Sequence, residues 1–179
     1  MGDAATSPPR PERGRLVVAG HAPSGRSVFV GDDSPAPVEL AGPAVQARFL
    51  WARDDVASFP DDGGRPETGA GQPPPGGCRV ATLHIAAGAD AAYHQFIAAA
   101  LGELADPAHP GFHTTPTLDF VQILSGEVLL ELDLEARRLA AGDMAVLNGV
   151  RHRFSNPGSE TAVLLAVQIG AYDRRTTRG

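Results

Sequence analysis

Two stretches of this chain gather side chains that bind protons or metal ions: HTTPTLDFVQILSGE over residues 113–127 and GDMAVLNGVRHRFSN over residues 142–156. In an extended segment the side chains at i, i+2 and i+4 share one face. That spacing puts His113, Thr115, Thr117 and Asp119 together, and His152 arrives from the second stretch. Two imidazoles and a carboxylate brought together inside a sheet could hold a divalent cation and leave positions open for a substrate. Without metal, an imidazole oriented by a carboxylate titrates near neutral pH and can act as general acid and base; His152 with Asp119 is the natural pair for that role. Phe154 has the parity of His152, which makes it a candidate wall for an apolar or aromatic substrate. Arg151 and Arg153 have the opposite parity and are expected on an outer face or in a dimer contact.

Composition removes competing chemistries. All 15 basic residues are arginine, so every Schiff-base mechanism that needs a lysine amine is excluded. Their scatter, with a formal charge of −6, leaves no basic stripe for a phosphate backbone, and no nucleic-acid partner is expected. Cys78 is the single cysteine, which excludes an intramolecular disulfide and a cysteine metal cluster. It is expected to begin a strand rather than to serve as a nucleophile. Ser125 before Gly126 lacks the G-x-S-x-G context of a nucleophile and is read as a turn. No apolar run reaches the roughly 18 residues of a membrane span, and the N-terminus has no apolar secretory segment. The chain is therefore expected to be cytoplasmic, without a membrane partner. Gly2 and Thr6 formally match an N-myristoylation pattern, but the composition of residues 1–14 favours a disordered leader.

The elements that must position these residues are mostly strands. RLVVAG and RSVFVG around Pro23–Gly25 form a hairpin pattern, AVQARFLWA a third strand ending at Trp51, and CRVATLHIA a fourth. Trp51 is expected in the core, with a place on a pocket wall as the alternative. Residues 58–77 have almost no apolar content and predict a mobile loop inserted within one domain. DAAYHQFIAAALGELA predicts a helix over 90–105, capped by Asp90, with Phe96, Ala100, Leu101 and Leu104 as its apolar stripe and His94 solvated. From Thr117 onward short strands and turns alternate, with Val128, Leu130, Leu132 and Leu134 sharing one face. The last long strand ends near Gly170, followed by a frayed tail over 171–179. Many short antiparallel strands at close spacing read as an all-β sandwich or barrel whose interior can hold a small ligand.

The motif residues resemble the cupin superfamily, with patterns G-x5-H-x-H-x(3,4)-E-x6-G and G-x5-P-x-G-x2-H-x3-N. His113 stands at the first histidine of the first motif, Thr115 at the second, Asp119 at the glutamate, and Gly126 follows after six intervening residues. Gly142, Gly149, His152 and Asn156 match the second motif, with its first span one residue short and Leu147 near the proline. The resemblance implies a single jelly-roll cupin barrel over residues 15–170, with core motifs over 113–169 and one inserted helix. It also implies a metal site. His113, Asp119 and His152 would be the ligands, suited to iron, nickel, zinc or manganese. Aspartate is shorter than glutamate by about 1.5 Å, so Asp119 would reach the ion only through a water or after a backbone shift.

The resemblance implies a small-molecule enzyme, acting on a hydrophobic oxygenated substrate by dehydration, decarboxylation, isomerisation or oxygenation. His113, Asp119 and His152 would be catalytic, and Thr115, Thr117 and Phe154 would line the pocket. The alternatives are a metal-free binding cupin that senses or stores its ligand, a His/Asp acid–base enzyme without metal, and a barrel with a decayed site. A homodimer is expected, with the N-terminal strands as the first place for its interface.

Overall fold

The computed structural model describes residues 14–69 and 71–173; the leader and its myristoylation pattern, apart from Gly14, and the tail beyond Asp173 lie outside the described residues. These residues fall into two compact units. The smaller contains residues up to Pro35 together with Phe59–Gly64, and the larger contains Ala36–Ser58 and the chain from Arg65 onward.

In the smaller unit β1 (Leu16–His21) and β2 (Ser27–Asp33) pair antiparallel around a turn. Gly25 takes a positive φ of 77° at this turn, a conformation that costs glycine little. The segment at Asp61 closes against the end of the hairpin, where the His21 amide donates to the Asp61 carbonyl at 2.8 Å.

Among the described residues the larger unit contains nine strands and one α-helix. They are β3 (Val38–Glu39), β4 (Val45–Arg53), β5 (Cys78–Ile85), α1 (Asp90–Leu101), β6 (Thr117–Ser125), β7 (Glu127–Glu131), β8 (Ala136–Ala140), β9 (Met144–Asn148), β10 (Arg153–Ser155) and β11 (Ala162–Gly170). One sheet has the order β3-β4-β5-β11-β6-β9 and a second has the order β10-β7-β8, and all their pairings are antiparallel. The buried cluster includes Val45, Ile85, Val121, Ile123, Val128 and Leu164, so inward-facing side chains of both sheets build one core. Turn chemistry at Ser125-Gly126 links the two sheets. Gly126 has φ of 70°, and a Cβ there would lie 2.9 Å from the backbone of Thr161 and Ala162. No other residue fits this turn without displacing a strand.

Several expectations change in detail. The strand starting at Glu127 ends at Glu131 instead of running through Leu134, because the chain turns where the Leu132 amide donates to the Glu135 carbonyl. Leu134 is exposed as a result. The helix ends at Leu101 and passes into a 3-10 turn over Gly102–Leu104. Asp90 does not cap it. Its Oδ1 accepts from the Asn156 amide at 2.7 Å instead, so the carboxylate ties the helix start to the end of the second motif. Asn156 is buried and fully used: Nδ2 donates to the carbonyls of Ile85 and Glu160, and Oδ1 accepts from the Gly158 amide.

Candidate functional site

The alternation expected after residue 113 is present. His113, Thr115, Thr117 and Asp119 are 8%, 3%, 3% and 5% exposed, with half-buried residues between them. His113 and His152 form a bridge in which each amide donates to the other's carbonyl at 3.0 Å. Such a pair sets two side chains side by side on one face, and the imidazole centroids are 4.3 Å apart. Phe154 continues this face, edge-on to His152 with centroids 5.6 Å apart.

Each imidazole is fixed by a carbonyl two residues upstream. Nδ1 of His113 lies 2.9 Å from the Gly111 oxygen, and Nδ1 of His152 lies 2.9 Å from the Val150 oxygen. A carbonyl only accepts, so both Nδ1 atoms carry the hydrogen, and in the neutral ring Nε2 keeps its lone pair. No hydrogen bond is made at either Nε2 among the described residues. Both rings are held neutral. Burial lowers both pKa values, and for His113 the neighbouring His152 lowers it further, to about 4, against the opposing pull of the Gly111 carbonyl and Asp119.

Asp119 sits in β6 opposite Leu147 of β9 and Gln168 of β11. Burial raises its pKa, while Thr117, Gln168 and His113 act to lower it. Its Oδ1 is buried without a hydrogen-bond partner. Asp119 is near enough to His113 to be felt electrostatically, but among the described residues no three His, Cys, Asp or Glu side chains come together as a group that could hold a metal ion. The two imidazoles stand side by side, and the unpartnered Asp119 Oδ1 lines the same space.

His113, Thr115, Asp119, His152 and Phe154 all line a cavity of about 660 Å³, within the usual range for small-molecule sites. Thr117 does not line it; its hydroxyl pairs with that of Thr115 at 2.7 Å. The cavity extends from the histidine pair under α1, where Tyr93, Phe96 and Ile97 form a wall at helical spacing. Trp51 also lines this space, with the Arg65 guanidinium 6.0 Å from its ring, and is not a core residue.

The segment between helix and His113 is clamped from outside the cavity. Arg151 pairs with Asp106 and Asp133, Arg153 forms two 2.8 Å bonds with Glu131, and both guanidiniums stack on Phe112 at 4.1 and 4.7 Å. The two arginines therefore face away from the cavity, as their parity requires, but they are ion-paired instead of simply solvated. His94 is not solvated either: its Nε2 lies 2.8 Å from the Phe154 carbonyl. Sequence reasoning missed Tyr93, Gln168 and Gln72 as cavity residues. An i, i+3, i+4 count from Tyr93 would have found the first. The register of β11 on β6 places the second, and no sequence pattern encodes that pairing. Gln72 lies in a stretch that offered no periodic signal at all.

The cupin domain family matches residues 100–168. Over this stretch the chain is similar to a cupin domain. The stretch contains the histidine pair and Asp119, and the two antiparallel sheets described above are consistent with the cupin jelly roll. No curated protein matches the chain. Among solved structures it is similar to the cupin domain of Cnp3 from Schizosaccharomyces pombe, with 12% identity, a TM-score of 0.49 and coverage of 92% of this chain and 91% of that one. KdgF from a Halomonas species shows 13% identity and a TM-score of 0.44, covering 74% and 86%. An RmlC-like cupin from Shewanella frigidimarina shows 10% identity and a TM-score of 0.42, covering 78% and 86%. Cupins often bind metals, and no helix among the described residues is long and apolar enough to cross a membrane.

Proposed function

We propose that this cupin is a small-molecule enzyme that moves protons on an apolar, oxygen-bearing substrate held in the cavity, in an isomerisation or an elimination of water. The observation that supports this reading is the tautomer of the histidine pair. Both Nδ1–H groups are anchored on backbone carbonyls, so both Nε2 lone pairs are left for a reacting molecule. A neutral imidazole in this state takes a proton from carbon. Asp119, pushed toward its protonated form by burial, supplies one to a departing or rearranging oxygen. Two titratable groups shifted in opposite directions are the pattern expected of an acid–base pair. Phe154 and the Tyr93–Phe96–Ile97 wall give the cavity its apolar lining.

The same tautomer favours a second reading, in which His113 and His152 hold iron, nickel, zinc or manganese through Nε2. Such an ion would polarise a substrate oxygen.

The test is conversion of a metabolite mixture followed by mass spectrometry, with metal content measured in parallel. The acid–base reading expects turnover that survives chelation and is lost in His152→Ala and His113→Ala. Turnover abolished by a chelator and restored by one metal replaces it with the metal reading. A molecule that co-purifies without being converted points instead to a sensor or storage cupin. Turnover unchanged in both histidine variants sinks both enzyme readings.

A further inference from the structure

Two buried side-chain atoms among the described residues have no hydrogen-bond partner: Asp119 Oδ1 and Gln72 Oε1. Both residues line the same cavity. Asp119 belongs to the site already described, but Gln72 comes from elsewhere, in the stretch following β4 that has no regular secondary structure. Burying an amide without a partner is unfavourable by an amount comparable to a whole hydrogen bond. Such a group in a native chain calls for an explanation, whether strain, a catalytic role or a bound molecule that satisfies it.

The backbone around Gln72 is held as a strap along the cavity. Upstream, the Gly69 amide donates to Asp54 Oδ2 at 2.6 Å. Asp54 Oδ1 accepts from Arg79 Nη2 at 2.6 Å, and the same nitrogen reaches the Gly69 carbonyl at 3.3 Å. Nη1 of Arg79 donates to the carbonyls of Arg53 and Cys78, which fixes the guanidinium to the ends of β4 and β5. Downstream, the Gly76 amide donates to the Gly170 carbonyl and the Gly170 amide to the Gly77 carbonyl. A Cβ on Gly170 would fall 1.9 Å from the Pro74 oxygen, so the strap approaches the end of β11 as closely as only glycine allows. Anchored at both sides, the strap gives Gln72 a defined place on the cavity wall, and its buried Oε1 has no hydrogen-bond partner among the described residues.

We propose that Gln72 is a ligand-reading residue, and that the molecule it reads is an apolar body carrying hydroxyl groups, one of which pairs with the Gln72 amide. A hydroxyl both donates and accepts, so it satisfies the amide whichever way the amide is turned. The lining of the same cavity includes Trp51, Phe96 and Ile97, which accommodate an apolar ring or short chain. The inference deepens the proposed function and rests on that reading only in taking the cavity as the place where the small molecule binds.

The test is equilibrium dialysis of the full chain with 2,7-dihydroxynaphthalene and with 2-methylnaphthalene, with thermal melting of the free protein alongside, for the parent and for Gln72→Met. The parent is expected to bind the diol about tenfold or more tighter than the hydrocarbon, and Gln72→Met to lose most of that preference while keeping its affinity for the hydrocarbon. The free variant is expected to melt above the parent, because near-isosteric methionine removes a buried unpaired amide. A scaffold role for Gln72 predicts the opposite, a lower melting temperature. The inference is overturned if the variant melts lower, if its diol preference equals the parent's, or if the parent shows no preference or does not bind the diol. His152→Ala separates the two readings. Loss of turnover with the diol preference retained supports both. Turnover retained in the histidine variants leaves the strap inference standing while the acid–base reading falls.

Discussion

At His113 burial and a neighbouring imidazole remove a proton that solvent would otherwise supply, and the effect reaches the stability of the whole chain. The folded pKa is pushed down to about 4, while an unfolded histidine titrates near 6.5. Between those values the unfolded chain binds more protons than the folded one, so folding is favoured as pH rises. The contribution is fully present above about pH 6.5 and is lost as pH falls toward 4, on the order of 3 kcal/mol at most. His152, lowered by the same burial, acts with the same sign. Urea unfolding of chelator-treated protein at about pH 7.5 and about pH 5 should show this loss. His113→Asn should flatten the dependence, and a parent more stable at the lower pH would refute it.

Helix α1 and the segment that follows it owe their seat to Gly111. This residue has φ of 86°, and a Cβ on it would lie 2.4 Å from the His94 ring and 2.9 Å from the Arg153 side chain. Its carbonyl is also the acceptor that fixes His113. Gly111→Ala therefore strains the backbone, pushes α1 away from β10 and loosens the imidazole pair. Destabilisation of about 2 kcal/mol or more is expected from the backbone and the clash together, measured by chemical denaturation. A variant as stable as the parent would show that the contact relaxes without cost. The outer clamp is a separate device at this scale, since Arg151, Arg153 and Phe112 hold the same segment from the other side.

At the scale of the larger unit, an exposed ion-pair network ties distant parts of the chain together: Asp106 after the helix, Asp133 after β7 and Arg151 before β10. The Arg151 guanidinium and the Ala108 amide hold the Asp106 carboxyl well below the usual carboxylate range. A depressed carboxylate pKa contributes stability that is present above its unfolded value, near 4, and lost as pH falls through the folded one. Acid unfolding below about pH 4 should therefore steepen in the parent and be shallower in Asp106→Asn, which has less left to lose. Identical acid profiles for the two proteins would show that solvent screens the pair completely.

The sequence by itself determined the all-β class, the parity of the site and the exclusion of lysine and cysteine-cluster chemistry. It could do so because strand alternation and residue type are local properties. Buried His113, Thr115 and Asp119 with half-buried residues between them is the alternation read directly from HTTPTLD. Tertiary structure decided what the alternation could not. The exchange of amide bonds between His113 and His152 brings two imidazoles from separate motifs to 4.3 Å. The ladder sets Asp119 opposite Gln168 and not within a three-ligand group. A carboxylate expected as a helix cap instead holds Asn156. Gln72, in a stretch without periodicity, lines the cavity where Arg79, close in sequence, and Gly170, far away in it, anchor the backbone on either side. Parity fixes which face a side chain takes; only the pairing of remote strands fixes what stands opposite it.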